Sequence, residues 1–172
     1  MNNEFYMDFD RQIFISDRIL EEPYIFDFTK QNIKEGYAAK EHLVTLFTIS
    51  EMIGGEVSLF LNGEPNFNIE HYSRIIRVPF QITTGEIFIY SYFDDEELSE
   101  EEKSFLNDFI RKGYIKEKEY KPKKFTMENG DYELYFAIKG KGVTPDTEEN
   151  EYEIYFVTNQ KPTFKSILRD EW

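Results

Sequence analysis

The sequence predicts a mainly β protein, an antiparallel β-sandwich with one inserted amphipathic helix, forming a single domain over residues 1–172. Aromatic residues make up 17% of the chain, with 17 Phe and 12 Tyr, and these residue types favour strands. Apolar and polar residues alternate in several short segments, a period of two that is typical of strands with one buried face. These segments recur at hairpin spacing between turns, which favours a sandwich.

The N-terminal half predicts six strands, from alternation or from runs of aromatic and β-branched residues. They are residues 5–16 with a bend near Asp10-Arg11, 24–28, 42–50, 56–61, 72–83 and 86–93. Residues 30–39 are polar and contain Gly36, so they predict a loop with one helical turn.

Two glycine turns in this half predict hairpins. Gly54-Gly55 is expected to pair the third strand with the fourth, and Thr84-Gly85 the fifth strand with the sixth. Pro79 has no N–H to donate to a ladder, so it predicts a sheet edge or a bulge within the fifth strand.

The amphipathic helix is predicted over about residues 99–112, inside an insertion that spans residues 94–124. Ser99 and Glu102 have the spacing of a capping box, which satisfies two backbone N–H groups at a helix start. The apolar residues that follow share one face of the helix. They are Phe105, Leu106, Phe109 and Ile110.

Three further strands are predicted in the C-terminal part of the chain, the last of them weaker than the others. They are residues 131–139, 151–158 and 164–168. In the first two, alternate apolar residues are expected to face the core. These residues are Tyr132, Leu134, Phe136 and Ile138, then Tyr152, Ile154 and Phe156.

The formal net charge is −14, which bears on the kind of partner. An acidic chain repels nucleic acid and anionic lipid surfaces, so direct DNA or RNA binding is not expected. The charge favours a basic protein partner instead, although solubility alone accounts for it at least as well. No apolar stretch approaches the length of a membrane span, and the N-terminus shows no signal-peptide pattern. We therefore expect no membrane insertion and a cytoplasmic location.

No catalytic, cofactor-binding or metal-binding residue is predicted, which favours a protein that is not an enzyme. The chain has no cysteine, and neither His42 nor His71 has a second ligand at the spacing of a zinc site. Asp8 and Asp10 are of the type that calcium prefers. The alternative interpretation is therefore a ligand- or calcium-binding β-sandwich module without catalytic activity.

Five residues are predicted to contact a protein partner. The acidic run Asp94, Asp95, Glu96 and Glu97 precedes the helix cap, and helix chemistry requires none of these four side chains. By contrast, the acids after Ser99 suit the positive end of the helix dipole and need no partner. Tyr37 is the aromatic candidate, because tyrosine is enriched at protein interfaces.

Several short motifs occur together in a recognisable order. They are Gly36-Tyr37-Ala38-Ala39, Val78-Pro79-Phe80, Gly85 in a hairpin turn, and Gly130-Asp131-Tyr132 at a strand start. This order resembles the competence protein J family, whose members inhibit the bacterial DNA-entry nuclease. The resemblance extends, with gaps, over roughly residues 8–158.

The resemblance implies an inhibitory binding protein whose partner is a nuclease with a basic active-site face, either in DNA uptake or as immunity against a toxin. It supplies no catalytic or metal residue to carry over. The sequence departs from the family pattern in the insertion at residues 94–124, where a short connection is expected. The mode of partner binding is therefore expected to differ here.

Overall fold

The computed structural model describes residues 2–7, 12–19, 29–40, 42–48, 55–90, 104, 111–112, 122–140, 151–159 and 166–170. Within these ranges the chain forms eleven strands in two sheets. The strands are β1 (Asn2–Met7), β2 (Gln12–Ser16), β3 (Tyr37–Lys40), β4 (Leu43–Phe47), β5 (Gly55–Leu61), β6 (Tyr72–Ile82), β7 (Glu86–Tyr90), β8 (Lys123–Thr126), β9 (Gly130–Lys139), β10 (Glu151–Thr158) and β11 (Ser166–Asp170).

The six-stranded sheet has the order β1-β5-β10-β9-β6-β11, and the five-stranded sheet has the order β3-β4-β2-β7-β8. The prediction of a mainly β fold is confirmed. One described strand pair departs from the antiparallel pattern, because β5 and β10 run parallel. These two strands are far apart in sequence, so no local turn signal bears on their relative direction.

The core lies between the two sheets and contains the alternating residues that the sequence assigns to β9 and β10. Phe136 and Tyr152 are almost completely buried, and their rings stack with centroids 5.9 Å apart. Stacked aromatic pairs of this kind add to the free energy gained by burying the rings themselves. The alternation therefore identified the inward faces of these strands correctly.

Both predicted hairpins are wrong. Strands β4 and β5 lie in different sheets, and so do β6 and β7. The turn at Thr84-Gly85 therefore carries the chain from one sheet to the other. Residues 5–16 likewise form two strands, β1 and β2, in different sheets. A turn signal shows that the chain reverses, but the sheet that each strand joins depends on contacts with residues distant in sequence.

In the described pairing Pro79 lies at a sheet edge, in agreement with one of its two predicted positions. Strand β6 pairs with β9 as far as Ile82, whereas its described pairing with β11 ends at Arg77. Because the described β6–β11 pairing does not reach Pro79, the missing N–H of this proline removes no hydrogen bond from that pairing.

At residues 30–39 the predicted helical turn is present as helix α1 (Lys30–Glu35), whereas the predicted loop is wrong because strand β3 follows immediately after Gly36. Thr29 and Asn32 form a capping box at the start of α1, and Gly36 ends it with φ of 81°. Two features favour glycine at this position. It adopts a left-handed backbone readily, and a Cβ here would lie 2.8 Å from the guanidinium of Arg74. That arginine is itself 1% exposed.

Two other predictions fall largely or wholly outside the described residues. Of the helix predicted at residues 99–112, Ser104, Arg111 and Lys112 are described, and the first two are helical whereas Lys112 lies in a turn. The strand predicted at residues 24–28 lies outside the described ranges. Strand β8 was missed, because the sequence there is rich in lysine. It pairs with β7, and Lys124 forms an ion pair of 2.6 Å with Glu86.

Candidate functional site

The solvent side of the six-stranded sheet, called the outer face below, is the broad polar surface of the described structure. Every residue of β4 is buried, as are four of the five residues in β2 and in β7, so these three central strands have both of their faces covered, whereas the edge strands β3 and β8 each keep two exposed residues. The strands of the six-stranded sheet instead turn acidic and tyrosine side chains outward between their core residues. The outer face is therefore a candidate binding surface.

Strand register brings acids from three strands of the outer face together. Tyr6 of β1 lies opposite Glu56 of β5, and Glu56 lies beside Glu151 of β10. The neighbouring row of residues on the same face places Glu4 opposite Ser58, and Ser58 lies beside Glu153. Cross-strand neighbours on one face are about 5 Å apart, so these carboxylates form one patch.

A buried carboxylate lies beside these exposed acids on the same face of the sheet. Glu153 is 6% exposed and accepts hydrogen bonds from the hydroxyls of Tyr72 at 2.9 Å and Tyr155 at 3.0 Å. Its second oxygen lies 3.1 Å from Nζ of Lys139, which also contacts Glu151 at 2.9 Å. Hydrogen bonds to a charged group are short and strong, so they hold the carboxylate in one position.

The same contacts raise the pKa of the three side chains that donate to the carboxylates, Tyr72, Tyr155 and Lys139. Burial, followed by the hydrogen bond to Glu153, raises the pKa of Tyr72 to about 12. Burial and then the charge of Glu153 raise the pKa of Tyr155. The hydrogen bond to Glu151 raises the pKa of Lys139 more than burial lowers it. Both tyrosines and the lysine therefore keep their protons throughout the neutral range.

Phe67 fastens the loop of residues 62–71 onto the outer face. Its ring lies edge-on to Tyr72 and Tyr155, with centroid distances of 5.2 and 5.3 Å. Beneath it, Ile75 and Ala137 are fully buried. The centre of the outer face is thus a second, small apolar cluster, and exposed acids lie on the β1 side of it.

A second buried carboxylate joins the two sheets at one end of the sandwich. Asp17 accepts the backbone N–H of Thr83 at 3.0 Å and its hydroxyl at 2.6 Å, and it also accepts from Nε of Arg18 at 3.0 Å. His42, which has a positive φ of 69°, places Nδ1 3.2 Å from the same carboxylate. Burial raises the pKa of Asp17, but the hydrogen bonds from Thr83 and Arg18 outweigh it and the pKa is lowered.

A small cavity of about 240 Å³ adjoins this network. Its lining is mixed in character and comes from both sheets. The lining residues are Lys40, His42, Val44, Pro79, Phe80, Gln81 and Asp131. Gln81 donates to Asp131 at 3.0 Å.

The structure describes one of the five predicted contact residues. Tyr37 is the first residue of β3, is partly buried and packs against the main core. The acidic run Asp94, Asp95, Glu96 and Glu97 lies outside the described ranges, and so do Asp8 and Asp10. Among the residues that the structure describes, no group of three or more possible metal ligands occurs, and no helix is long and apolar enough to span a membrane.

Sequence reasoning missed the residues that organise these two sites. The alternation of EYEIYF places Glu151, Glu153 and Tyr155 opposite the core residues of β10, so their shared face could have been found. The meeting of that face with Glu4 and Tyr6 could not, because β1 and β10 join through β5. Asp17 carries no local signal, since its partners Thr83 and His42 lie far from it in the sequence.

The two stacked sheets and the outer face define a β-sandwich protein with an acidic, tyrosine-bearing surface. The chain belongs to the competence protein J (ComJ) family, because the family model matches residues 4–106. No curated protein matches the chain.

Two solved structures are similar in fold. One is described as ComJ, inhibitor of the DNA degrading activity of NucA, from Bacillus subtilis. It has a TM-score of 0.62 and 19% identity, over 92% of this chain and 96% of that chain. The other is described as crocagin biosynthetic gene J, with a TM-score of 0.47 and 11% identity, over 90% of this chain and 96% of that chain.

Proposed function

We propose that this chain inhibits a nuclease by binding the enzyme and blocking its basic substrate groove. Family membership carries the proposal, because the Bacillus subtilis ComJ is described as an inhibitor of the DNA degrading activity of NucA. The net charge of −14 supports it. A nuclease must hold a polyanion, so its substrate groove is basic and attracts an acidic protein.

The proposed inhibition needs no chemistry from this chain, and we propose that it has no catalytic activity of its own. Opposite charges on the two proteins speed their encounter and favour the correct orientation. Once docked, the inhibitor occupies the surface that DNA phosphates would otherwise contact. Tight binding needs buried anchors as well, and tyrosine is among the residue types that supply them most often. We place this encounter in the cytoplasm.

The direct test is DNA cleavage by NucA of Bacillus subtilis, the enzyme that ComJ of that organism is described as inhibiting. We expect plasmid cleavage to stop once the chain is in stoichiometric excess, and the two proteins to elute together in size-exclusion chromatography. A heat-denatured sample of the chain controls for additives in the preparation. Unchanged cleavage together with separate elution would refute the proposal for that enzyme.

The acidic run before the helix cap remains a proposed contact. Changing Asp94 and Asp95 to Asn and Glu96 and Glu97 to Gln is expected to slow association with the nuclease by about tenfold, because surface charges act mainly on the association rate. The melting temperature is expected to stay within about 2 °C, since surface substitutions change stability little. Surface plasmon resonance measures the rate.

A matched control removes the same four charges elsewhere, through Gln at Glu35, Glu64, Glu86 and Glu128. This control separates a local contact from the effect of total charge. If both variants associate equally slowly, the acidic run acts only through the overall charge. If neither is slowed, the run contributes solubility alone.

A further inference from the structure

We propose that His42 is a pH-sensitive switch, in which uptake of a proton exchanges the hydrogen-bond partner of its Nδ1 from Arg18 to Asp17. The switch lies at the end of the sandwich where the Asp17 network joins the two sheets. It is a property of the fold and does not depend on the proposed inhibition of a nuclease. The geometry of the three side chains, their chemistry and their fixed surroundings each support it.

Arg18 determines where the neutral imidazole carries its proton. Nη2 of Arg18 lies 3.0 Å from Nδ1 of His42. A guanidinium has only donors and keeps all its protons in a protein, so Nδ1 accepts this hydrogen bond with its lone pair. Because a neutral imidazole has one N–H, the proton of His42 then lies on Nε2.

Asp17 makes the opposite demand on the same nitrogen. Its Oδ1 lies 3.2 Å from Nδ1 of His42, and an ionised carboxylate can only accept. Burial raises the pKa of Asp17, but the hydrogen bonds from Thr83 and Arg18 outweigh it and lower the pKa, so the carboxylate is ionised at neutral pH. A second proton on the ring would lie on Nδ1 and donate to Oδ1, which forms a charge-assisted hydrogen bond.

Arg18 can release the imidazole and still keep its other partners. Its Nε donates to Oδ1 of Asp17 at 3.0 Å, and its Nη2 also donates to Oγ1 of Thr83 at 3.2 Å. Two protonated nitrogens 3.0 Å apart repel each other, so protonation of His42 moves Nη2 away from the ring and leaves it with Thr83. The side chain of Arg18 is 42% exposed, which leaves space for this movement.

His42 itself is held in place beside these partners. Its φ of 69° is a left-handed conformation that is uncommon for a residue other than glycine. Its carbonyl accepts the backbone N–H of Asp17 at 3.2 Å, and its side chain is 20% exposed. Backbone outliers of this kind cluster at switch regions and ligand sites. Because the residue is fixed, its change of charge leads to an exchange of partners around the ring.

The other charged groups near His42 lie around the adjoining cavity. Among the described residues that line it, they are Lys40 of β3 and Asp131 of β9. These two carry opposite charges, and charge interactions weaken with distance, so the direct contacts with Arg18 and Asp17 dominate. When His42 takes up its proton, the cavity gains one positive charge.

Nitrogen NMR spectroscopy of the full chain tests the switch, because imidazole signals distinguish a protonated ring nitrogen from an unprotonated one. At about pH 8 we expect the proton of His42 on Nε2, and between about pH 8 and pH 5 we expect the guanidinium signals of Arg18 to shift with the same midpoint as those of His42. The only other histidine, His71, has Nε2 3.4 Å from Asn68 and is the internal control. His71→Gln assigns the signals and is expected to leave the response of Arg18 unchanged.

Arg18→Met removes the donor to Nδ1 and retains Asp17. In this variant we expect the neutral ring to carry its proton on Nδ1 and donate it to Asp17, so the tautomer is reversed. Circular dichroism verifies that the variant folds, and the experiment on the unmodified chain decides the proposal if it does not. The proposal is overturned if the Arg18 signals stay constant while His42 titrates, or if His42 does not change its charge between about pH 8 and pH 5. It is also overturned if Arg18→Met keeps the original tautomer.

Discussion

Replacing Asp17 with alanine is expected to lower the free energy of unfolding by about 2–4 kcal/mol, because several hydrogen bonds to one charged group are lost together. Asp17 is fully buried, and its carboxylate accepts from Thr83 and Arg18. It follows β2 of one sheet, whereas Thr83 lies in the turn that leads from β6 of the other sheet into β7. The carboxylate therefore joins the two layers of the sandwich at this end.

Denaturant unfolding followed by circular dichroism measures this loss, and Asp131→Ala is the matched control. Asp131 also accepts a side-chain hydrogen bond, from Gln81 at 3.0 Å, but it does so at an exposed site. Its replacement is expected to cost less than about 1 kcal/mol, because water substitutes for the partner. Equal losses for the two variants would mean that burial of Asp17 adds nothing to its contribution.

The carboxylate of Asp17 also makes stability depend on pH in acid. Its pKa lies below the ordinary value of 3.8, because the hydrogen bonds from Thr83 and Arg18 outweigh the effect of burial. A group whose pKa is lowered by folding stabilises the protein above its unfolded pKa and loses that contribution as the pH falls through its folded pKa. The stability difference between the unmodified chain and Asp17→Ala is therefore expected to shrink below pH 3.8.

Replacing Glu153 with alanine has the second large expected effect, again about 2–4 kcal/mol of unfolding free energy. The hydroxyls of Tyr72 and Tyr155 would lose their acceptor where both side chains are buried, at 8% and 9% exposure. Lys139 would keep only its contact with Glu151.

Glu151→Ala is the control for this substitution. Glu151 contacts the same lysine at 2.9 Å, but its side chain is 59% exposed. Surface ion pairs contribute about 0–1 kcal/mol, so we expect a small loss of stability. A loss for Glu151→Ala as large as that for Glu153→Ala would contradict a special role for the buried carboxylate. Thermal and denaturant unfolding give both values.

Glu153 also predicts a change at alkaline pH. The pKa of Tyr72 is raised to about 12, by burial first and then by Glu153. A raised pKa stabilises the protein below the ordinary value of 10.0, and this contribution is lost as the pH rises through about 12. In Glu153→Ala the pKa of Tyr72 is expected to move toward 10.0, while burial continues to raise it. Ultraviolet titration of tyrosinate, with Tyr72→Phe to assign the signal, measures the shift.

The positions of most strands follow from local patterns. In β9 and β10, Leu134, Phe136, Ile154 and Phe156 alternate with more polar residues, and the same residues face the core. Alternation is a property of neighbouring residues, since successive side chains of any strand point to opposite faces. For this reason the sequence alone was enough to predict a mainly β fold and the inward faces of these strands.

The pairing of strands is a different kind of property. The glycine turns at Gly54-Gly55 and Thr84-Gly85 suggested two hairpins, yet in both cases the flanking strands belong to different sheets. A turn with the same local sequence can join paired strands or strands in two layers. Which of these occurs depends on whether each strand buries more apolar surface against one set of neighbours or the other.

The amino-acid sequence by itself determined the strand-rich class, the inward faces of β9 and β10, the negative charge and the motif order that marks the family. Each is a matter of composition or of residues close in the chain. Only the tertiary structure decided that Glu4, Tyr6, Glu56 and Glu151 share one patch, and that Asp17 and Glu153 are buried acceptors. These residues meet through strand register and sheet order, which depend on packing of the whole chain rather than on any local segment.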